Sequence, residues 1–332
     1  MSTTISPPSV GYDASSSRVA PLAQPQARSS LGSRAFALAG VLLSIGIVFT
    51  SFVRPWYLRW GTTPLEAVIE LPGDEILPKA ASRETRAITI HAGADRVWPW
   101  LAQIGQDRGG FYSFDLLENL VGCRMPTVDV LRPEKQTWAL GDKLWMYPPD
   151  KAGGIGFATL QSYIPGRALG FATRMTGTPL SAPANGSWSF VIIPLGNSAT
   201  RLLIRGRGAP GRSLLGVAFD RSIFEPAHFA MERRMMIGLA QLAEGGSRQR
   251  LANHAQVALW TITFGLFVAA VVRVFRRRQW GLALVGVGVS AAVLQILTLR
   301  QPPLSVGAVL VAALAAIVWW PRRHVQSAGG VS

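Results

Sequence analysis

The sequence predicts an α+β domain, with a curved antiparallel sheet around one long C-terminal helix, inserted between transmembrane helices. Three observations support this prediction. Apolar runs without charged residues stand near both ends of the 332-residue chain. From Trp138 onward the middle of the chain has a hydrophobic period of two, which is typical of strands. Its last part, from Phe224 to Gly246, has instead the pattern of a helix of about twenty residues.

The ends of the chain predict a tail and four membrane spans. Residues 1–33, rich in Ser, Pro and Ala, predict a disordered tail. Uncharged apolar runs predict transmembrane helices over 34–54, 252–273, 279–299 and 303–321. The first is long enough to cross a hydrocarbon core of about 30 Å, and the second is slightly short unless neutral flanking residues extend it. Only 15% of the residues are charged, against roughly 25% in ordinary soluble domains.

The net charge of +15 lies mainly at the membrane ends. The chain carries +2 before Arg54, +4 from Arg54 to Gly245 and +9 after Gly245, where nine arginines meet no acid. This distribution follows the positive-inside rule and argues against a nucleic-acid partner. It predicts an integral protein of a bacterial inner membrane with cytoplasmic N- and C-termini, and it places the middle segment on the outer side. Arg54, Arg59, Arg248 and Arg250 oppose that placement, but long domains translocate largely regardless of charge.

Residues 55–250 form one predicted domain whose elements follow in order. Thr85 to Ala92 alternates as a strand, and the next segment has the spacing of a helix that ends at Gly105 and has Pro99 close to its first turn. Asp115 begins a predicted short helix, DLLENL, because its negative charge interacts favourably with the positive N-terminal end of the helix dipole. Strand-length runs separated by turn residues then predict an antiparallel meander. The runs are TWALGDKLWMYP, GFATLQSYIPGRALGFATRM, GSWSFVIIPL and ATRLLIRGRGA.

Three stretches resemble a known family. They are TRAITIHAGADRVWPWLAQIGQDRGGFYSFDLLENLVGC, RPEKQTWALGDKLWMYP and FEPAHFAMERRMMIGLAQLAE. Together they resemble the START-like, helix-grip proteins, also described as SRPBCC or polyketide cyclase-like, and most closely a membrane-attached bacterial branch of mostly uncharacterised proteins. The resemblance covers roughly residues 60–245. It implies a cavity between the sheet and the C-terminal helix that holds a lipid or another apolar molecule, and it transfers no catalytic residue.

Aromatic and other large side chains supply the candidate wall of that cavity. The candidates are Trp98, Arg108, Phe111, Tyr112, Phe114, Trp145, Tyr147, Phe171, Trp188, Phe190, Phe229 and Met236. The stretch DRGGFYSFDLLENL is predicted to form a lid or rim of the cavity, with a hinge at Gly109 and Gly110. The alternative is that its aromatic residues are ordinary core packing. Arg108 is expected to pair with Asp115 or Glu118 and to fix this segment.

Asp115, Glu118, Glu225, His228 and Glu232 are the candidate polar residues of the cavity. Glu225, His228 and Glu232 stand at i, i+3 and i+7, near one face of a helix. Such a set can ligate a metal, but mononuclear sites usually take ligands from more than one element, so we predict no metal. The favoured alternative pairs Glu232 with an arginine and bonds His228 to the sheet.

The functional prediction is a membrane-anchored START-like domain that binds a hydrophobic small molecule or lipid. Its partners are the lipid bilayer and that ligand, with a second membrane protein as a further expected partner, and no cofactor is predicted. A cyclase- or aromatase-type enzyme on the same fold and a membrane-protein assembly module are the alternatives. Neither a nucleophile elbow nor a phosphate-binding or dinucleotide-binding motif occurs in the sequence. The sequence identifies neither the ligand nor a reaction.

Overall fold

The computed structural model describes residues 30–126, 128–151, 156–174, 179, 181–211, 213–277 and 280–319. Its centre is one six-stranded antiparallel sheet in the order β1-β6-β5-β4-β3-β2. The strands are β1 (Ser82–Ile90), β2 (Lys143–Trp145), β3 (Phe157–Ile164), β4 (Ala168–Thr173), β5 (Gly186–Pro194) and β6 (Thr200–Gly208). The last five strands follow one another as a meander, and the first strand of the chain completes the sheet beside the last.

The helices stand before, within and after this sheet. They are α1 (Leu31–Val48), α2 (Arg54–Leu58), α3 (Ala94–Ala102), α4 (Asp115–Leu120), α5 (Leu214–Phe219), α6 (Glu225–Ala243), α7 (Arg250–Arg276), α8 (Trp280–Gln295) and α9 (Leu304–Trp319). Turns of π-helix join α1 to α2 and α5 to α6 and extend α8 to Arg300. The described part of the chain is therefore an α+β domain with apolar helices on both sides of it in sequence.

The domain core forms between the sheet and α6. Phe171, Phe190 and Ile204 from the strands share one buried cluster with Met236 and Leu239 from the helix. Residues at alternate strand positions reach this cluster because side chains of a strand point to opposite faces in turn. The predicted order of strands and final helix is thus confirmed.

Two strand and helix boundaries differ from the predictions. The strand predicted from Trp138 begins only at Lys143, because the Trp138 side chain turns inward and donates its indole N–H to the Ala102 carbonyl at 2.6 Å. Helix α3 begins at Ala94, so Pro99 lies inside the helix and not in its first turn. A single proline there removes one main-chain donor, and the helix ends at Ala102.

Three helical runs are long and apolar enough to cross a membrane: Leu31–Leu58, Arg250–Arg276 and Trp280–Arg300. The fourth predicted span forms the shorter apolar helix Leu304–Trp319 of 16 residues. The predicted tail lies outside the described residues up to position 29. Its last residues belong instead to α1, whose first turn is capped by the Ser30 hydroxyl, which accepts from the Ser33 N–H at 3.2 Å.

Candidate functional site

A buried charged group lies where β1, β5 and α6 meet. Strand β1 supplies Glu84 and Arg86, β5 supplies Trp188, and α6 supplies His228 and Glu232 one turn apart. We call these five residues the Arg86 cluster. Glu84 and Arg86 share a strand face with Ile88 and Ile90, because all four positions are separated by even numbers of residues. The cluster therefore replaces apolar residues on the face of β1 that packs against α6.

Arg86 is the centre of the cluster. Its Nη1 lies 2.7 Å from Glu232 Oε1, its Nη2 lies 2.5 Å from Glu84 Oε2, and its Nε donates to the Tyr57 carbonyl at 3.1 Å. The Trp188 indole N–H donates to the other oxygen of Glu232 at 2.8 Å. The buried guanidinium is thus surrounded by acceptors, as a buried charge requires.

One edge of the cluster is open to solvent. The side chains of Arg86 and Glu232 are 0% and 2% exposed, whereas those of Glu84 and His228 are 17% and 28% exposed. His228 Nδ1 lies 3.5 Å from Glu84 Oε1, and Phe224 stacks on the His228 ring with the centroids 5.7 Å apart. His228 and Glu84 are therefore the partly exposed members of the cluster.

The charges of the cluster shift the titration of both open groups. Burial alone would raise the pKa of Glu84, but the positive charge of Arg86 and the contact with His228 lower it below its usual range. Burial alone would lower the pKa of His228, but the hydrogen bond to Glu84 and the carboxylates of Glu232 and Glu84 raise it. The pair therefore favours an imidazolium beside a carboxylate.

The structure separates the three helix residues that the sequence places on one face. Glu225 pairs with Arg54, at 2.7 Å, and accepts from the Tyr57 hydroxyl at 3.1 Å. Glu84 of β1 takes its place, since ligand atoms of Glu84, His228 and Glu232 lie within 4.8 Å of one another. Because the Arg86 guanidinium already bonds to both carboxylates, the arrangement is that of an ion-pair network, and the predicted pairing of Glu232 with an arginine is confirmed.

The segment after Gly109 packs into the core. Phe111, Tyr112 and Phe114 are 7%, 0% and 2% exposed, as the core-packing alternative predicts. The Ser113 hydroxyl donates to the Met231 carbonyl of α6 at 2.7 Å. Gly110 has φ +82°, where a side chain would be strained and its Cβ would lie 2.8 Å from the Pro126 carbonyl oxygen. This segment contacts α6 through the Ser113 hydrogen bond and through Tyr112, which lies against Gly238. Its role as a lid stays a prediction.

The expected pair of Arg108 with Asp115 or Glu118 is wrong. Arg108 donates to the Lys135 and Thr137 carbonyls and lies over the Trp138 ring, 3.6 Å from its centroid. Asp115 pairs instead with Arg248, the buried arginine before α7, at 3.1 Å. Because Arg248 also bonds Asp129 at 2.6 Å, it connects this segment to the start of α7, one of the helices long and apolar enough to cross a membrane.

Glu118 is a partly buried acid outside the Arg86 cluster. Its Oε2 forms no hydrogen bond among the described residues. Burial, with the nearby charge of Asp115, raises the pKa of Glu118 to about 8. This side chain is therefore largely protonated at neutral pH and differs from the ionised carboxylates of the Arg86 cluster.

The twelve predicted wall residues fall into separate groups. Ring contacts of 4.6 to 6.1 Å connect Phe111, Trp188, Phe190 and Phe171, and Met236 belongs to the same core. Others pack elsewhere: Trp98 on Tyr163, Phe114 on Trp260 of α7, Trp145 on Phe157, and Phe229 on Tyr57. Tyr147 lies beside Gly122 and Gly156, and Arg108 lies over Trp138. The first group adjoins the Arg86 cluster through Trp188, and Phe229 adjoins it directly, because the Arg86 guanidinium lies over its ring at 5.1 Å.

Glu84 and Arg86 are site residues that the sequence analysis missed. Their signal is a pair of charged residues in phase with Ile88 and Ile90, the positions of β1 expected to face the core. Charged residues at such positions are rarely buried without a partner. The alternation of core-facing positions along β1 was therefore enough to identify Glu84 and Arg86 as candidate site residues.

Comparisons with known proteins add solved structures only. No family model and no curated protein matches the chain. A protein of Mesorhizobium loti is 14% identical, with 49% of this chain and 98% of that chain covered and a TM-score of 0.26. A protein of Arthrobacter aurescens is 16% identical, with 55% of this chain and 94% of that chain covered and a TM-score of 0.28. A polyketide cyclase-like protein of Corynebacterium glutamicum is 14% identical, with 53% of this chain and 91% of that chain covered and a TM-score of 0.19. With such low TM-scores, the α+β architecture is established by the sheet and helices of this chain itself.

Proposed function

We propose that the protein is a membrane-anchored START-like, helix-grip domain that binds a hydrophobic small molecule or lipid between its sheet and α6. In this proposal the apolar part of the ligand lies against Phe111 and Trp188. Its polar end meets His228 and Glu84 at the open edge of the Arg86 cluster. The membrane helices hold the domain at the bilayer surface, where such ligands are available.

The packing of the helices supports the proposed orientation. The Arg34 guanidinium of α1 donates to the Phe275 and Arg277 carbonyls at 3.0 and 3.2 Å, and Arg273 of α7 lies over the Trp319 ring of α9 at 5.6 Å. The N-terminal end of α1 and the C-terminal ends of α7 and α9 thus meet at one end of the bundle, together with Arg34 and Arg273. Under the positive-inside rule this end is cytoplasmic, which gives cytoplasmic termini and a domain on the outer side.

The Arg86 cluster is the observation that carries the ligand proposal. A buried ion-pair network gives little net stability compared with apolar residues of the same volume. Its presence beside an aromatic core, with one edge open at His228, fits a site that needs fixed polar groups in apolar surroundings. The proposed ligand is therefore an apolar molecule with a polar end.

Organic extracts of the purified full-length protein test this proposal by mass spectrometry. The wild type is compared with Trp188→Ala/His228→Ala and with Phe219→Ala, an exposed residue of α5, as the control. We expect a stoichiometric apolar compound in the wild type and control, and its loss in the double variant, with thermal unfolding verifying that all three are folded. Extracts that contain the same bulk lipid in every sample would contradict the proposal.

The His228 and Glu84 pair favours an enzyme as the second candidate. An imidazolium held by a carboxylate can donate a proton to a bound carbonyl, which a cyclase-type reaction requires. If the protein is an enzyme, the His228→Gln variant still binds the substrate but does not convert it. The compound extracted from the variant should then differ in mass from the compound extracted from the wild type. An identical compound in both proteins supports binding alone.

A further inference from the structure

Helix α6 carries a second arginine whose surroundings differ from those of Arg86. Arg233 follows Glu232 directly, so its side chain points about 100° away around the helix axis, toward α2. Its guanidinium carbon lies over the Trp60 ring, 5.0 Å from the centroid. Its Nε and Nη1 are buried, and neither forms a hydrogen bond among the described residues.

Arg300 stands beside this arginine at the end of the third apolar helix. Its guanidinium carbon lies over the Trp56 ring at 3.9 Å, and the next side chain, Gln301, donates to the Ala230 carbonyl of α6 at 2.9 Å. Trp56 and Trp60 are one turn apart and both pack edge-on against Phe229. Two neighbouring tryptophans thus hold two arginines side by side, and we call these four residues the Arg233 site.

No carboxylate forms an ion pair with Arg233 or Arg300 within the part of the chain that the structure describes. Burial and the charges of Arg234 and Arg300 lower the pKa of Arg233 to about 10. Like charges that are held together with unpaired N–H groups favour an anion between them. Guanidinium groups bind phosphate oxygens well, because their N–H groups match the phosphate geometry.

The position of the site indicates which phosphate is available. Trp56 and Trp60 stand at the end of the first apolar run and Arg300 at the end of the third. Tryptophan and arginine at such helix ends lie at the level of lipid headgroups. Basic pockets between membrane helices bind anionic headgroups in this way.

We propose that Arg233 and Arg300 bind a phosphate group, and that an anionic membrane lipid supplies it. This inference rests on the membrane insertion in the proposed function but uses a different site from the apolar ligand. Trp56 and Trp60 orient the two guanidinium groups, and the acyl chains follow the first and third apolar helices. The bound headgroup would neutralise the arginines and connect the domain to the bilayer.

The test uses full-length protein in nonionic detergent. Phosphatidylglycerol, phosphatidylcholine and inorganic phosphate are titrated separately, with native mass spectrometry counting bound lipids and thermal unfolding reporting protection. Arg233→Gln/Arg300→Gln is compared with Arg96→Gln/Arg167→Gln, which removes two exposed arginines of the same domain. We expect wild type and control to bind phosphatidylglycerol selectively. The Arg233/Arg300 variant should bind it about thirtyfold more weakly.

Each other outcome overturns the proposal in a defined way. Equal phosphatidylglycerol binding by the variant removes the two arginines from the site. Equal protection by inorganic phosphate identifies a soluble phosphate ligand, and equal binding of phosphatidylcholine removes the selectivity for anions. The apolar compound from the organic extracts should remain bound in the Arg233/Arg300 variant, so that the two proposals fail independently.

Discussion

Arg86 and Arg233 lie near the same aromatic residues but in opposite electrostatic surroundings. Arg86 lies over Phe229, at 5.1 Å, and bonds two carboxylates and a carbonyl. Arg233 lies over Trp60, which packs on the same phenylalanine, and has no acidic partner among the described residues. The first cation is satisfied by the fold, whereas the second is the one for which we propose an anionic ligand. A paired cation therefore belongs to a fixed polar network, and an unpaired one belongs to a site that an anion can complete.

The largest expected effect comes from removing the satisfied arginine. Arg86→Met leaves Glu84 and Glu232 buried without their cation, so we expect the free energy of unfolding to fall by about 3 to 5 kcal/mol. Chemical unfolding of the full-length protein measures it. Arg83→Met, at an exposed position of the same strand, is the control and should change stability by less than about 0.5 kcal/mol. Equal effects of the two substitutions would show that the network is unimportant for stability.

An intermediate effect is expected at Glu118, the buried acid without a full set of partners. Its carboxyl has a pKa of 4.5 when free and about 8 in the fold, so the folded state holds the proton more tightly between these values. Stability should therefore fall as pH rises from about 4.5 to 8 and then level off. Glu118→Gln should remove this loss, with a gain of about 1 to 3 kcal/mol at pH 9 and none at pH 4.

Chemical unfolding curves recorded from pH 4 to pH 9 measure the stability of the wild type and of Glu118→Gln. Glu134→Gln, a change of the same chemistry at an exposed position, is the matched control and should follow the wild type throughout. If the wild type and Glu118→Gln have parallel pH profiles, burial does not hold a proton on Glu118.

The smallest effect is expected at the unsatisfied arginine itself. Arg233→Met removes an unpaired buried cation, so in detergent without anionic lipid it should raise the free energy of unfolding by about 1 kcal/mol. Added phosphatidylglycerol should stabilise the wild type more than the variant, which keeps only Arg300. Differential scanning with and without the lipid measures both changes. A destabilised variant in lipid-free detergent would mean that Arg233 stabilises the fold, as Arg86 does.

The segment from Gly109 to Leu120 shows what local patterns can and cannot predict. The short helix at Asp115 and the sharp turn at Gly110 follow from the dipole and from backbone freedom, and both are present. The partner of Asp115 was predicted to be the nearby Arg108 but is Arg248, which is 133 residues away. Helix starts are set by neighbouring residues, whereas the partners of charged groups are set by which elements meet.

The amino-acid sequence was sufficient to predict the apolar helical runs, the meander of strands and the long final helix, because hydrophobic period and turn residues act over a few positions. It also placed His228 and Glu232 on one face of that helix. Tertiary contacts, which the sequence pattern does not reveal, bring Glu84 and Arg86 to these residues and pair Glu225 with Arg54. Those contacts depend on how β1 lies along α6 and where the first apolar helical run ends. Packing of distant elements fixes that alignment, so it left Arg86 fully paired and Arg233 without an acidic partner among the described residues.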